Sequence, residues 1–224
     1  MRWKIESRPS YSLLELSLDA GERVVSEAGA MAWMDPGLEV ETSTRGGLLS
    51  GLKRKLLAGE TLFQNTYTAR QAGRLALAPG AAGDIEALEL DGELHLERGA
   101  YLAHAGEIAI DSKFQGLSGL FKEGLFALRV QGRGLLFFDA YGALQRIEVD
   151  GSYVVDNGYA VAWDPSLRFQ LTRARRVRSF LFSDQLLMRF EGRGSIWIQN
   201  RSTPGFANWV HPFRRVERRK NSGD

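Results

Sequence analysis

The chain of 224 residues contains no cysteine. That absence removes disulfides, cysteine-ligated zinc, iron–sulfur clusters and a thiol nucleophile together. A surplus of charge is missing too: 29 basic side chains stand against 27 acidic ones, a net of +2. No global field therefore draws the protein toward nucleic acid or anionic lipid. No window approaches the ~20 apolar residues of a membrane span. The opening Met1-Arg2-Trp3-Lys4-Ile5-Glu6 has no apolar run behind its basic residue, unlike a secretory leader. A cytoplasmic protein without a membrane span is expected. Helical periodicity is scarce, and only residues 50–58 and 118–128 suit short helices.

Recognisable catalytic patterns are lacking as well. The histidines, His95, His104 and His211, lie far apart without ligand spacing. His95 falls on the polar phase of a strand, which places it at a solvated rim. Ser50 and Ser118 sit in Ser-Gly-Leu turns with no nucleophile elbow around them. The element Gly46-x-x-x-x-Gly51-Leu52-Lys53 misses a phosphate-binding loop, because the lysine is displaced and Arg54 stands where a hydroxyl belongs. The expectation is a non-enzyme with no catalytic residues, no cofactor and no metal.

What is present is repetition. Leu88-Glu89-Leu90-Asp91-Gly92-Glu93-Leu94-His95-Leu96 is echoed by Ile147-Glu148-Val149-Asp150-Gly151-Ser152-Tyr153-Val154-Val155, and each is followed at the same spacing by Gly99 or Gly158. Leu16-Ser17-Leu18-Asp19-Ala20-Gly21 repeats the frame with one insertion. A second half recurs as Gly132-Arg133-Gly134 and Gly192-Arg193-Gly194, with Gly73-Arg74-Leu75 as a weaker counterpart. Asp-Gly between alternating apolar residues is the strongest short hairpin signal, and the Gly-Arg-Gly elements read as further tight turns. The fold expected is all-β: three diverged hairpin repeats, about 10–80, 81–140 and 141–200. They pack as a jelly-roll, double-stranded β-helix-like or prism-like single domain over 1–211. Residues 212–224 read as a basic, mobile tail.

The first copy departs from the others. Its interval from Gly29 to Gly73 exceeds those from Gly99 to Gly132 and from Gly158 to Gly192, and the excess lies in residues 44–63. Elaborations on a repeated frame are where function tends to be placed. Gly46 and Gly47 enter a short amphipathic turn with Leu49, Leu52 and Leu56 on one side and Lys53 and Arg54 outside; Gly51, Gly59, Glu60 and Phe63 complete the segment. It is the candidate interaction segment.

The stretch Gly51-Leu52-Lys53-Arg54, then Gly59-Glu60 and Phe63, resembles the family of the yeast "altered inheritance of mitochondria" protein twenty-four. Gly29, Met31 and Met34, and later Asn157, Gly158 and Trp163, support the resemblance, which runs over roughly Ile5 to Arg201. It implies an all-β fold like that of the tryptophan RNA-binding attenuation protein, assembly into oligomers, and no established reaction. The mitochondrial relative is linked to inner-membrane organisation. No transit peptide is seen here, so that role is not carried over.

The leading expectation is a scaffold or protein-interaction module, a homo-oligomer with an unknown protein partner. Nucleic-acid binding through Arg168, Arg173, Arg175, Arg176 and Arg178 is the alternative, and a small-ligand or hydrolytic site between repeats is the third. Trp33, Trp163 and Trp197 are assigned to the core, Trp209 to a subunit contact.

Overall fold

Leu14, Leu16 and Leu18 alternate with Glu15 and Ser17, and a two-residue period puts one face of an extended chain into the core. In the computed structural model, which describes residues 1–44, 63–111, 127–173 and 186–214, these leucines are fully buried on strand β2 (Leu13–Leu18). The same logic makes most of the described chain β. The other strands are β1 (Arg2–Glu6), β3 (Arg23–Glu27), β4 (Met31–Met34), β5 (Leu38–Thr44), β6 (Phe63–Ala69) and β7 (Gly73–Leu77). They continue with β8 (Ile85–Glu97), β9 (Tyr101–Asp111), β10 (Ala127–Asp139), β11 (Leu144–Asp156), β12 (Ala160–Trp163), β13 (Arg168–Arg173) and β14 (Leu186–Gln199). One short helix follows, α1 (Thr203–Val210).

The strands form two antiparallel sheets within a single domain. The smaller runs β1-β2-β7-β4; the larger runs β11-β14-β12-β8-β10-β9-β3-β6-β5, with β13 beside β14. Connectors stitch the sheets near one end: Ser12 N–H donates to the Gly83 carbonyl at 2.9 Å and Asp84 N–H to the Gly142 carbonyl at 2.8 Å. Asp84 is buried there, accepting from Arg8 Nε at 2.8 Å and Ser12 Oγ at 2.9 Å. Three buried clusters make up the core, one around Leu14, Leu16, Tyr67 and Phe137, one around Leu94, Leu128, Val130 and Trp197, one around Trp163, Met188 and Phe190. Each fully buried leucine or phenylalanine contributes about 1.5–3 kcal/mol.

The Asp-Gly pairs are not hairpin turns, and neither are the Gly-Arg-Gly elements. All four lie inside long strands and face one another: Asp91 and Gly92 on β8 pair with Arg133 and Gly132 on β10, and Asp150 and Gly151 on β11 pair with Arg193 and Gly192 on β14. Gly92, Gly132, Gly151 and Gly192 have φ between 110° and 135°, which bends the strand without ending it. Each aspartate takes the facing arginine in an ion pair, Arg133 Nη2 to Asp91 at 2.8 Å and Arg193 Nε to Asp150 at 2.9 Å. The turns that end β8 and β11 come later. Glu97 accepts from Gly99 N–H at 2.8 Å and Asp156 from Gly158 N–H at 3.0 Å, each starting a single 3-10 turn into the next strand.

Of the two expected short helices, 50–58 lies outside the described residues, and 118–128 does so except for Ala127 and Leu128, which open β10. His95 is buried rather than solvated. Its ring stands edge-on to Trp163 at 5.8 Å and its Nε2 lies 3.1 Å from Glu93. The reason is the neighbouring strand: β12 pairs with β8 at Leu96 and His95, on the edge opposite β10, and sets the Trp163 ring beside the His95 ring.

Candidate functional site

Ser202 starts α1 by accepting from Gly205 N–H at 3.2 Å, and Pro204 fits the first turn because its missing N–H is not needed there. The helix yields to a 3-10 turn at His211–Phe213. None of its residues is buried. Phe206, Trp209 and Phe213 follow the i, i+3, i+7 spacing of one helical face, and they are 49%, 67% and 74% exposed. Phe206 and Trp209 stack at 6.0 Å between ring centroids, Trp209 meets Phe213 at 5.8 Å, and Tyr141 stands edge-on to Phe206 at 5.9 Å. Behind them opens a groove of about 360 Å³ lined by Tyr141, Tyr159, Asn200, Arg201, Ser202, Gly205, Phe206 and Trp209. Hydrogen bonds tie together the chain segments around the groove. Tyr141 N–H donates to Gln199 Oε1 at 2.8 Å, Gln199 Nε2 to the Gly158 carbonyl at 2.9 Å, and Ala143 N–H to Asn200 Oδ1 at 2.9 Å. Such a surface can take up an apolar or aromatic side chain.

Besides the cluster at Asp84, the described residues form further polar clusters inside the fold. Asp139, at the end of β10, is buried, and burial followed by the charges of Glu27 and Glu97 holds its carboxyl well above the ordinary range. Burial also raises Glu97 and Glu27, with Arg98 pulling both back. Among the described residues, no group of three or more His, Asp or Glu has the geometry to hold a metal ion. Another cluster joins three strands. Tyr101 hydroxyl donates to the Val25 carbonyl at 3.2 Å, lies 2.8 Å from His104 Nδ1 and accepts from Gln64 Nε2 at 3.3 Å. It locks β9 to β3 and β6.

Of the segment singled out in the sequence, Gly46, Gly47, Leu49, Gly51, Leu52, Lys53, Arg54, Leu56, Gly59 and Glu60 lie outside the described residues, and Phe63 opens β6. In the basic stretch, Arg168 and Arg173 bound β13, while Arg175, Arg176 and Arg178 are outside the described residues. Trp163 and Trp197 are buried, Trp33 is half-buried under Arg74, and Trp209 is exposed. Sequence reasoning missed α1 itself. Ser202 ahead of Pro204, followed by apolar residues at 206, 209, 210 and 213, was the signal that could have found it.

The described residues thus define an all-antiparallel two-sheet β domain followed by a short helix with exposed aromatic rings. Residues 3–201 match the family described as Mitochondrial biogenesis AIM24, and the chain belongs to that family. A Streptococcus pyogenes serotype M6 protein, described as uncharacterized, is 29% identical over 225 residues, spanning 95% of this chain and 91% of that protein. An X-ray crystal structure of a protein from Streptococcus pyogenes superposes with a TM-score of 0.77 at 28% identity, over 95% of this chain and 99% of that one. Helix α1 follows the part matched by the family. Among the described residues, no helix is long and apolar enough to cross a membrane.

Proposed function

We propose that the chain is a non-enzymatic interaction scaffold of the cytoplasm. In this reading it assembles with copies of itself and binds a protein partner through the aromatic face of α1. The observation that carries this is the exposure of Phe206 and Trp209 on α1 and of Phe213 on the 3-10 turn after it, neither of which buries a residue. An aromatic side chain left in water forgoes about 1.5–3 kcal/mol, and clustered aromatic anchors are the residues that dominate protein interfaces. Residues 46–63, with Leu49, Leu52 and Leu56, form a second contact in this reading.

The test is affinity capture from the source organism's lysate on immobilised wild-type chain and on the Phe206→Ser/Trp209→Ser double variant. A protein held by the first and lost from the second is expected. Identical retention on both would overturn the assignment of α1.

A further inference from the structure

The chain joins its own strands by one recurring contact, and that contact is left open once at each end. Three strands carry the same bulge against their neighbour. In β4 pairing skips Ala32, in β9 Leu102, and in β12 Val161, each opposite β7, β10 or β14. The two residues after the bulge then reach a further strand. On β9, Ala103 and His104 pair with Ser26 and Val25 of β3; on β12, Ala162 and Trp163 pair with Leu96 and His95 of β8. The strand reached is always the one that ends in a carboxylate followed two residues later by glycine, Glu27 and Gly29 or Glu97 and Gly99. By this rule Trp33 and Met34 of β4 require a strand of that type, and the remaining one is β11, ending in Asp156 before Gly158. Among the described residues, β4 pairs with β7 alone and β11 with β14 alone, and each is the last strand of its sheet.

Burial and charge mark both edges as built to be covered. Tyr101, Leu102, Ala103 and His104 are all buried, as are all four residues of β12, yet Met31 on β4 is 41% exposed. Leu94, His95 and Leu96 are buried on β8, whereas Tyr153 and Val154 on β11 are 37% and 44% exposed. An open strand edge is normally guarded by charge or proline. The edges β1 (Arg2, Lys4, Glu6), β5 (Glu39, Glu41) and β13 (Arg168, Arg173) follow that rule. Met31-Ala32-Trp33-Met34 and Ser152-Tyr153-Val154-Val155 carry neither.

We infer that β4 of one copy pairs with β11 of a second copy, antiparallel, with Met34 opposite Val154 and Trp33 opposite Val155. The inference rests on the self-associating scaffold reading and gives it a geometry. The two surfaces differ, so the contact is head-to-tail, and each copy keeps one edge of each kind for the next. The bound chain extends a sheet by main-chain hydrogen bonds while the exposed apolar side chains leave water.

The chain's lack of cysteine gives a clean cross-linking background. Met34→Cys and Val154→Cys are made as separate chains and oxidised alone and mixed. Disulfide-linked dimer from the mixture, at least tenfold above either chain alone, is expected; Val40→Cys on the charged β5 edge replaces Val154→Cys as the control and should not link. A second measurement uses Met31→Lys and Val154→Lys with light scattering. Each is expected to be monomeric alone, and the mixture to form a 1:1 dimer, because one intact edge of each kind remains. The inference is overturned by equal linking to Val40→Cys, or by a Met34→Cys/Val154→Cys double variant that closes only within one chain. Unchanged assembly of both folded lysine variants also sinks it, although the scaffold reading then survives with its contact elsewhere. A wild-type chain that stays monomeric removes self-association altogether, while capture through α1 is judged by its own experiment.

Discussion

Asp139 ends β10 with its carboxyl buried near Glu27 and Glu97, and no cation neutralises it among the influences that set its titration. In the unfolded chain an aspartate loses its proton at about pH 4. In the folded chain burial and the two neighbouring carboxylates hold the proton to higher pH. Folding therefore takes up a proton across that window. The stabilisation is complete below the unfolded value and is lost as pH rises through the folded one. Glu27 and Glu97, also raised, act with the same sign. His95 works at the other end: burial lowers its folded value, so it costs stability as pH falls below about 6.5. The corresponding end of β14 carries Gln199, a neutral side chain that hydrogen-bonds instead. Asp139→Asn should raise the melting temperature at pH 8 while changing it little at pH 4.5. Melts across that range decide it; a variant whose curve stays parallel to wild type would show that Asp139 is not the group responsible.

The paired glycines of β8 and β10 separate two reasons for glycine that usually occur together. Gly92 and Gly132 face each other with nearly equal φ, 134° and 135°. A Cβ on Gly92 meets nothing within 4 Å, whereas one on Gly132 comes 2.0 Å from the Glu107 carbonyl of β9. Gly92→Ala therefore carries backbone strain alone, about 1–3 kcal/mol. Gly132→Ala carries the same strain and must also push two main chains apart. It should be at least twice as destabilising in denaturant titration, and equal losses would mean that β9 yields freely. The same glycines explain what the sequence concealed. Alternation about Asp91 correctly indicated strand, but Asp-Gly is a local turn signal, and the partner that keeps β8 running lies on a strand some forty residues later. Turn chemistry lost to non-local pairing. The recurrence of Asp91-Gly92 and Asp150-Gly151 was legible and falls in like settings. Of the aromatic face of α1 only Trp209 was singled out, as a subunit contact, because a helix of two turns offers its cap and one short run of apolar spacing and no longer period. The open edges of β4 and β11 were not legible at all, since an edge is defined by what fails to pair with it.

At the scale of the whole molecule, the question is whether 29 basic side chains make a polyanion-binding surface. Affinity for nucleic acid grows with the number of phosphates neutralised, each adding to the salt dependence. Cations already facing carboxylates are poor donors to that count. Among the described residues Arg8 meets Asp84, Arg70 meets Glu39, Arg74 meets Asp35, Arg129 meets Glu93, Arg133 meets Asp91, Arg146 meets Glu148 and Arg193 meets Asp150. Together these pairs disperse positive charge over the sheets instead of gathering it. Two of these arginines lie over indole rings, Arg74 over Trp33 and Arg146 over Trp197, but Trp197 is buried and Trp33 half-buried, and the exposed rings of α1 stack on one another. Elsewhere the sequence gathers cations at Arg45, Lys53, Arg54 and Lys55, at Arg173, Arg175, Arg176 and Arg178, and at Arg214, Arg215, Arg218, Arg219 and Lys220 toward the end of the chain. Filter binding to mixed RNA should therefore give dissociation constants no tighter than about 1 μM near physiological salt, in the non-specific range. What binding there is should fall further when the chain is cut after Arg214. Submicromolar affinity that survives the cut would place a nucleic-acid site on the sheets, and the ion-paired arginines would then have to exchange their carboxylates for phosphate.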